Sequence, residues 1–157
     1  MHYTIREIKE NEIPLLNAFL YESIFIKEGE AAPPRSILRS PALQVYVAGL
    51  GTQKDDHCFV AEVNGSVIGA AWARIMDDYG HIDDKTPSLA ISLYRDYRGA
   101  GIGTAMLQRL LDALKRNGYH QASLSVQKAN FAVKLYRRAG FQAIRESEEE
   151  YIMAVRL

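Results

Sequence analysis

A single cysteine, Cys58, stands in the 157-residue chain, so no disulfide can form within it. That suits a reducing compartment, and its strand-like neighbours make Cys58 a small buried hydrophobe rather than a catalytic thiol. Excess charge is missing as well. The 19 Lys plus Arg residues balance 19 Asp plus Glu, which excludes a nucleic-acid binder that works through a global basic field. No run of about 18 apolar residues occurs, so no membrane-spanning helix is expected. The start, Met1-His2-Tyr3-Thr4-Ile5-Arg6-Glu7, has no apolar signal-peptide core. The expectation is a cytoplasmic protein without membrane or nucleic-acid partners. Repeats, low-complexity tracts and linkers are also absent, so 1–157 reads as one domain large enough to bury a core.

What is present is an alternation of strands and helices. Tyr3 to Ile8 alternates as an opening strand. Asn11 is placed to cap a first helix, with Pro14 in its first turn and Ile13, Leu16, Leu20 and Ile24 at helical spacing. Pro33-Pro34 interrupts, and a second helix is expected over Ser36 to Ala48, stopping near Gly49 and Gly51. Cys58 to Val63 and Val67 to Ile75 flank Asn64-Gly65, the commonest two-residue hairpin turn. A polar loop, Asp77 to Pro87, leads to the short apolar strand Ser88 to Tyr94. A glycine-rich turn follows, then a helix with Leu107, Leu110, Leu111 and Leu114 on one face and Asn117-Gly118 at its end. Ala122 to Val126 reads as strand. A helix beginning near Asn130 then carries Ala132, Leu135, Tyr136 and Ala139 on one face up to Gly140. Phe141 to Arg145 and Tyr151 to Leu157 read as closing strands. The order is β-α-α-β-β-β-α-β-α-β-β, an α/β (α+β) chain with a mixed sheet.

The turn between strand and helix is the most informative segment. Gly99, Gly101 and Gly103 let backbone approach a phosphate without an intervening Cβ, and the helix start supplies unpaired N–H groups. Arg98 adds a cation beside them. Two nucleotide motifs fail here. A dinucleotide fingerprint would need glycine at Thr104, and a P-loop would need a lysine after the glycines. An anion site and a tight connection that binds nothing both remain open on the glycines alone.

Two segments carry a resemblance. Arg98-Gly99-Ala100-Gly101-Ile102-Gly103 is similar to the Q/R-x-x-G-x-G/A signature of the GNAT superfamily of N-acetyltransferases. Asn130-Phe131-Ala132-Val133-Lys134-Leu135-Tyr136-Arg137-Arg138-Ala139-Gly140-Phe141 resembles its N-x-x-A-x-x-L-Y-x-x-x-G-F segment. The resemblance covers Ser88 to Phe141 and implies a mostly antiparallel central sheet flanked by helices. It implies that backbone N–H groups from Arg98 to Thr104 (Arg98, Gly99, Ala100, Gly101, Ile102, Gly103, Thr104) cradle the pyrophosphate of acetyl-CoA. The open edge of Ala90, Ile91, Ser92 and Leu93 would pair with the pantetheine arm like an added strand, where the fourth and fifth strands splay. A backbone N–H near Ala90 to Ser92 would face the thioester carbonyl. Asn130 matches the position that bonds the cofactor arm, and it is equally suited to a plain helix cap.

Tyr136 matches the family position of the acid that protonates the departing thiolate, although it also lies on the apolar helix stripe. A base is needed too, because an alkyl ammonium with pKa about 10.4 is roughly 1 part in 10³ neutral at pH 7. Many relatives place a glutamate at the start of the fourth strand. Here that stretch is Thr86-Pro87-Ser88-Leu89, and Ser123-Leu124-Ser125 lacks a carboxylate as well. Asp83, Asp84, His81, Glu22 and Glu28, or a water chain, are the candidates. Tyr21, Phe25, Trp72, Tyr79 and Asp83-Asp84 occupy the regions that set acceptor choice in the family. The implied activity is acetyl transfer from acetyl-CoA to a small-molecule or peptide amine. A non-catalytic acyl-CoA sensor and a protein N-terminal or lysine acetyltransferase are the alternatives. No metal ligand set is assigned. Closing strands of such folds often sit at dimer interfaces, which raises the expectation of a homodimer.

Overall fold

The computed structural model describes residues 2–157. Its elements are β1 (Thr4–Glu7), α1 (Leu16–Ser23), α2 (Pro41–Gln44), β2 (His57–Val63), β3 (Ser66–Arg74), β4 (Ser88–Leu93), α3 (Ile102–Arg116), β5 (Gln121–Gln127), α4 (Ala132–Arg138), β6 (Gln142–Glu146) and β7 (Glu150–Arg156). All seven strands lie in one sheet, ordered β1-β2-β3-β4-β5-β7-β6, and every neighbouring pair is antiparallel except β4 and β5. The mixed, mostly antiparallel sheet expected from the sequence is therefore present. Asn64 and Gly65 take φ of 49° and 80°, the left-handed pair that a two-residue hairpin between β2 and β3 requires.

Helices cover both faces of the sheet. On one, Ile102, Met106, Leu107, Leu110 and Leu114 of α3 are buried against Phe59, Ala61, Ala71, Leu89 and Leu124. These positions recur at helical spacing and leave Gln108, Asp112 and Lys115 outside. On the other, Leu16, Phe19 and Leu20 of α1 pack on Val60, Ala70 and Trp72. Each fully buried leucine or phenylalanine contributes roughly 1.5–3 kcal/mol relative to exposure. No helix of the described residues is long and apolar enough to cross a membrane.

The first two helices depart from the sequence reading. Helical turns begin at Glu10 with Lys9 as cap, not Asn11: Glu12 Oε1 accepts the Lys9 backbone N–H at 2.8 Å. A 3₁₀ segment, Glu10–Leu15, precedes α1 because Pro14 cannot donate to an α-helical ladder. The single helix expected over 36–48 is instead a 3₁₀ turn, Arg35–Arg39, then the short α2 starting at Pro41, then successive turns. Pro41 sits at the first helical position, where its missing N–H costs nothing. Tertiary contacts hold the turns after α2. Trp72 Nε1 donates to Tyr46 O at 2.9 Å, and Arg74 Nη1 donates to Ala48 O at 2.8 Å. Arg74 is in turn paired with buried Asp56, Nε to Oδ1 at 3.1 Å.

Candidate functional site

The sheet is nearly cut in two between β4 and β5. Their only register pair is Ser88 with Ser123, and Ser123 N–H donates to Pro87 O at 3.0 Å. Past that point the strands diverge. Because backbone groups alternate along a strand, this one bond fixes which of them face the gap. Ile91 and Leu93 direct N–H and C=O into it, whereas Ala90 and Ser92 turn theirs toward β3, where they register with Trp72 and Ala70. Of the four residues read from the sequence as a single edge, two thus offer backbone to a ligand. The side chains of Ser88, Ala90 and Ser92 point to the α1 face, and those of Leu89, Ile91 and Leu93 pack toward α3.

Beyond β4 the chain makes a 3₁₀ turn, Arg95–Tyr97, and enters the glycine segment. Gly99 and Gly101 have φ of 81° and 83°, and Gly101 caps α3 in the left-handed region. Any Cβ at either glycine would meet open space, so backbone conformation, not crowding, demands glycine there. The first backbone bond of the helix is Ala105 N–H to Gly101 O at 3.1 Å. The N–H groups of Gly99, Ala100, Gly101, Ile102, Gly103 and Thr104 are left without backbone acceptors among the described residues. They collect at the positive end of a 15-residue helix, an arrangement suited to a diphosphate. Arg98 is tethered as well as charged: its Nε donates to Leu93 O at 2.9 Å, closing the loop against the end of β4.

Across the gap, Asn130 Oδ1 accepts the Ala132 N–H at 2.9 Å and opens α4. The cap reading of Asn130 is realised through this oxygen, and its amide Nδ2 stays available as a donor. Tyr136 is buried, its ring edge-on to Phe141 with centroids 5.7 Å apart. Burial alone pushes its phenol up, which keeps the group protonated.

Of the carboxylates named from the sequence, Glu22 is half-buried on α1 and the other three lie in solvent. Asp83 is exposed, and the Lys85 N–H at 2.8 Å holds its carboxyl below the usual range. Asp84 has 95% of its side chain in solvent. His81 Nδ1 lies 2.8 Å from Met76 O, and Glu28 is exposed. A carboxylate that sequence reading passed over is better placed. Asp78 Oδ1 accepts the Ser88 hydroxyl at 2.7 Å, at the first residue of β4. The loop that carries it is pressed onto β5, where Ser123 Oγ donates to Gly80 O at 2.7 Å. A Cβ on Gly80 would lie 2.9 Å from the Leu124 carbonyl carbon. Gly80→Ala should therefore lift this loop and destabilise the protein by about 1–3 kcal/mol, read as a lower midpoint in urea unfolding. An unchanged midpoint would show that the contact yields freely. Of the aromatic residues named for acceptor choice, Trp72 is core, Tyr21 donates to Pro33 O, and Tyr79 stands exposed on a cavity rim.

The model of the acetyltransferase (GNAT) family matches residues 22–141. The chain belongs to the GNAT family. This GNAT chain is 32% identical over 114 residues to an N-alpha-acetyltransferase of Sulfurisphaera tokodaii, covering 63% of the chain and 68% of that protein. With camello of Xenopus tropicalis it shares 36% identity over 95 residues, which is 58% of this chain but 41% of camello. The chain thus spans about two fifths of one relative's length. Among solved structures, PaiA N-acetyltransferase from Thermoplasma acidophilum, in complex with coenzyme A, superposes with a TM-score of 0.75 at 18% identity. That match covers all of both chains.

Proposed function

We propose that this GNAT chain transfers the acetyl group of acetyl-CoA directly to a primary amine. The observation that carries the reading is the row of unpaired N–H groups from Gly99 to Thr104 beside a gap bridged by one backbone pair. Acetyl-CoA supplies an activated acetyl thioester. The residues present fit it: the glycine turn would take the diphosphate, and Ile91 and Leu93 would bond the pantetheine arm as a neighbouring strand does. The Ile91 N–H is the donor suited to the thioester oxygen. Asn130 Nδ2 would hold the arm from the α4 side, and Tyr136 would give its proton to the departing sulfur.

Similarity to an N-alpha-acetyltransferase favours a protein N-terminus as acceptor over a small amine. A cofactor sensor without turnover would have no use for a protonated phenol at the motif position of the acid that serves the departing thiolate. The cytoplasm is the compartment we assign, on the strength of a single cysteine held as a buried free thiol. The decisive assay is thiol release from acetyl-CoA with purified protein and a panel of primary amines and peptides. No release above hydrolysis with any of them would refute the activity.

Direct transfer also predicts a dispensable cysteine. Cys58 is sealed in the α1-side core, and burial pushes its thiol up, the opposite of an activated nucleophile. Cys58→Ala should retain turnover within about twofold and lose roughly 1 kcal/mol of stability from the missing sulfur. An acetylated enzyme trapped by mass spectrometry and able to pass its acetyl group to an amine would overturn direct transfer.

A further inference from the structure

Three features outside the cofactor residues stand out: the exposed edge strand β6, exposed Phe131 beside Lys134, and Asp78 with the cavity it borders. Nothing indicates what covers the first, and the second adjoins the cofactor site already described. The third carries an argument.

Asp78 comes from the β3–β4 loop, yet its carboxylate lies at the root of the gap. Oδ1 is held by Ser88 at 2.7 Å, whereas Oδ2 is shielded from solvent and makes no hydrogen bond of good geometry among the described residues, the Gly80 backbone lying near the carboxylate. A buried carboxylate oxygen without a donor is costly and is found where something else supplies the donor. On one side lies Tyr46, close enough for its hydroxyl and the carboxylate to affect each other's ionisation, though it makes no well-formed bond to Oδ2. On the other, Asp78 borders a cavity of roughly 420 Å³ that opens between the β3–β4 loop and β6–β7. Asp77, Glu150 and Asp78 itself face Arg145 and the His81 imidazole there, while Glu146 is already paired with Lys128 at 2.7 Å, so unpaired carboxylates outnumber the one guanidinium. That balance favours a cation in the cavity.

We infer that Asp78 is the proton acceptor for the amine, and that the acceptor enters this cavity as an ammonium ion. The inference rests on the acetyl-transfer reading above. The ammonium passes one proton to the Asp78 carboxylate. The freed nitrogen lone pair forms the N–C bond to the acetyl carbon while the C–S bond breaks. The second proton leaving nitrogen matches the one that Tyr136 gives to sulfur, so one proton per turnover reaches solvent from Asp78.

Burial pushes the Asp78 carboxyl up, and the Ser88 hydroxyl partly offsets this by favouring the charged form. The sign for stability follows. A carboxyl raised in the folded state binds its proton more readily there than in the unfolded chain. Its contribution is complete below the unfolded value of about 3.9 and is lost as pH rises through the raised folded value. Asp78→Asn, which stays neutral, should therefore gain melting temperature over the parent as pH rises from 4 to 7, with no ligand present.

The test uses the full chain, acetyl-CoA, and two probes: 1,5-diaminopentane and the peptide Ala-Ala-Ala-amide. Asp78→Asn should lower kcat about 10²-fold or more on whichever probe the parent acetylates, while acetyl-CoA affinity stays the same. It should also abolish the acid limb of the kcat/KM profile. Ser88→Ala, which removes only the hydroxyl at Oδ1, should move that limb to higher pH. A parent that acetylates neither probe sinks the proposed activity and this assignment with it. An active parent whose Asp78→Asn variant keeps its rate and its acid limb sinks the assignment alone. So does an Asp78→Asn protein with no gain in melting temperature across that pH range.

Discussion

Gly101→Glu should cost acetyl-CoA at least about two orders of magnitude in affinity. Gly101 caps α3 at φ 83°, with its N–H among those left unpaired toward the phosphate position. Glutamate brings two penalties. A side chain in the left-handed region costs about 1 kcal/mol or more. A carboxylate beside a bound diphosphate adds several kcal/mol of like-charge repulsion, and each 1.4 kcal/mol is about tenfold in affinity. The two separate cleanly, because a Cβ at this position touches nothing within 4 Å. Gly101→Ala keeps only the strain and should lose about tenfold or less. Titration calorimetry on both variants, with circular dichroism to verify folding, reads the difference. A folded Gly101→Glu protein that binds acetyl-CoA like the parent would move the diphosphate elsewhere.

Tyr136→Phe should reduce kcat by about 10²–10⁴ with little change in acetyl-CoA affinity. The ring keeps its edge-on contact with Phe141, so packing is preserved. Most buried tyrosines lose a hydrogen bond on this change. Here desolvation is the sole influence on the phenol, no hydrogen bond to it exists among the described residues, and stability should stay level or rise slightly. The combination of a slow, undiminished fold distinguishes an acid from a structural tyrosine. Because the phenol is pushed up, it adds no falling limb to the rate profile below pH 10. A rate indistinguishable from the parent's would return Tyr136 to the core.

Much of the sheet was legible because its signals are local. Asn64-Gly65 dictates a hairpin by its own φ preferences, and the α3 face repeats leucine at helical spacing whatever surrounds it. The glycine turn was legible for the same reason, since left-handed backbone is written into residue type. Residues 35–51 were not. Their turns are set by Trp72 and Arg74, which bond the carbonyls of Tyr46 and Ala48 from β3, 26 residues away in sequence. Asp78 was hidden differently. The loop holds Asp77, Asp78, Asp83 and Asp84, four equivalent letters, and only the approach of Gly80 to β5 decides which one turns inward.

The one backbone pair between β4 and β5 bears on how the molecule assembles. β1 to β4 form a meander in which each strand from β2 onward pairs with its neighbour in sequence, while β5, β7 and β6 form a second unit. Backbone bonding barely connects them, whereas one side-chain core, with α3 lying across β1 to β4, includes residues of β5 and β7 as well. Such a layout leaves side-chain packing, rather than backbone pairing, to couple the two units. The first unit is rich in short-range pairings and suited to early formation; the second must close a loop through α4 before β7 can reach β5. A ligand strand laid along the gap would be the mortar between them, turning two blocks into one wall.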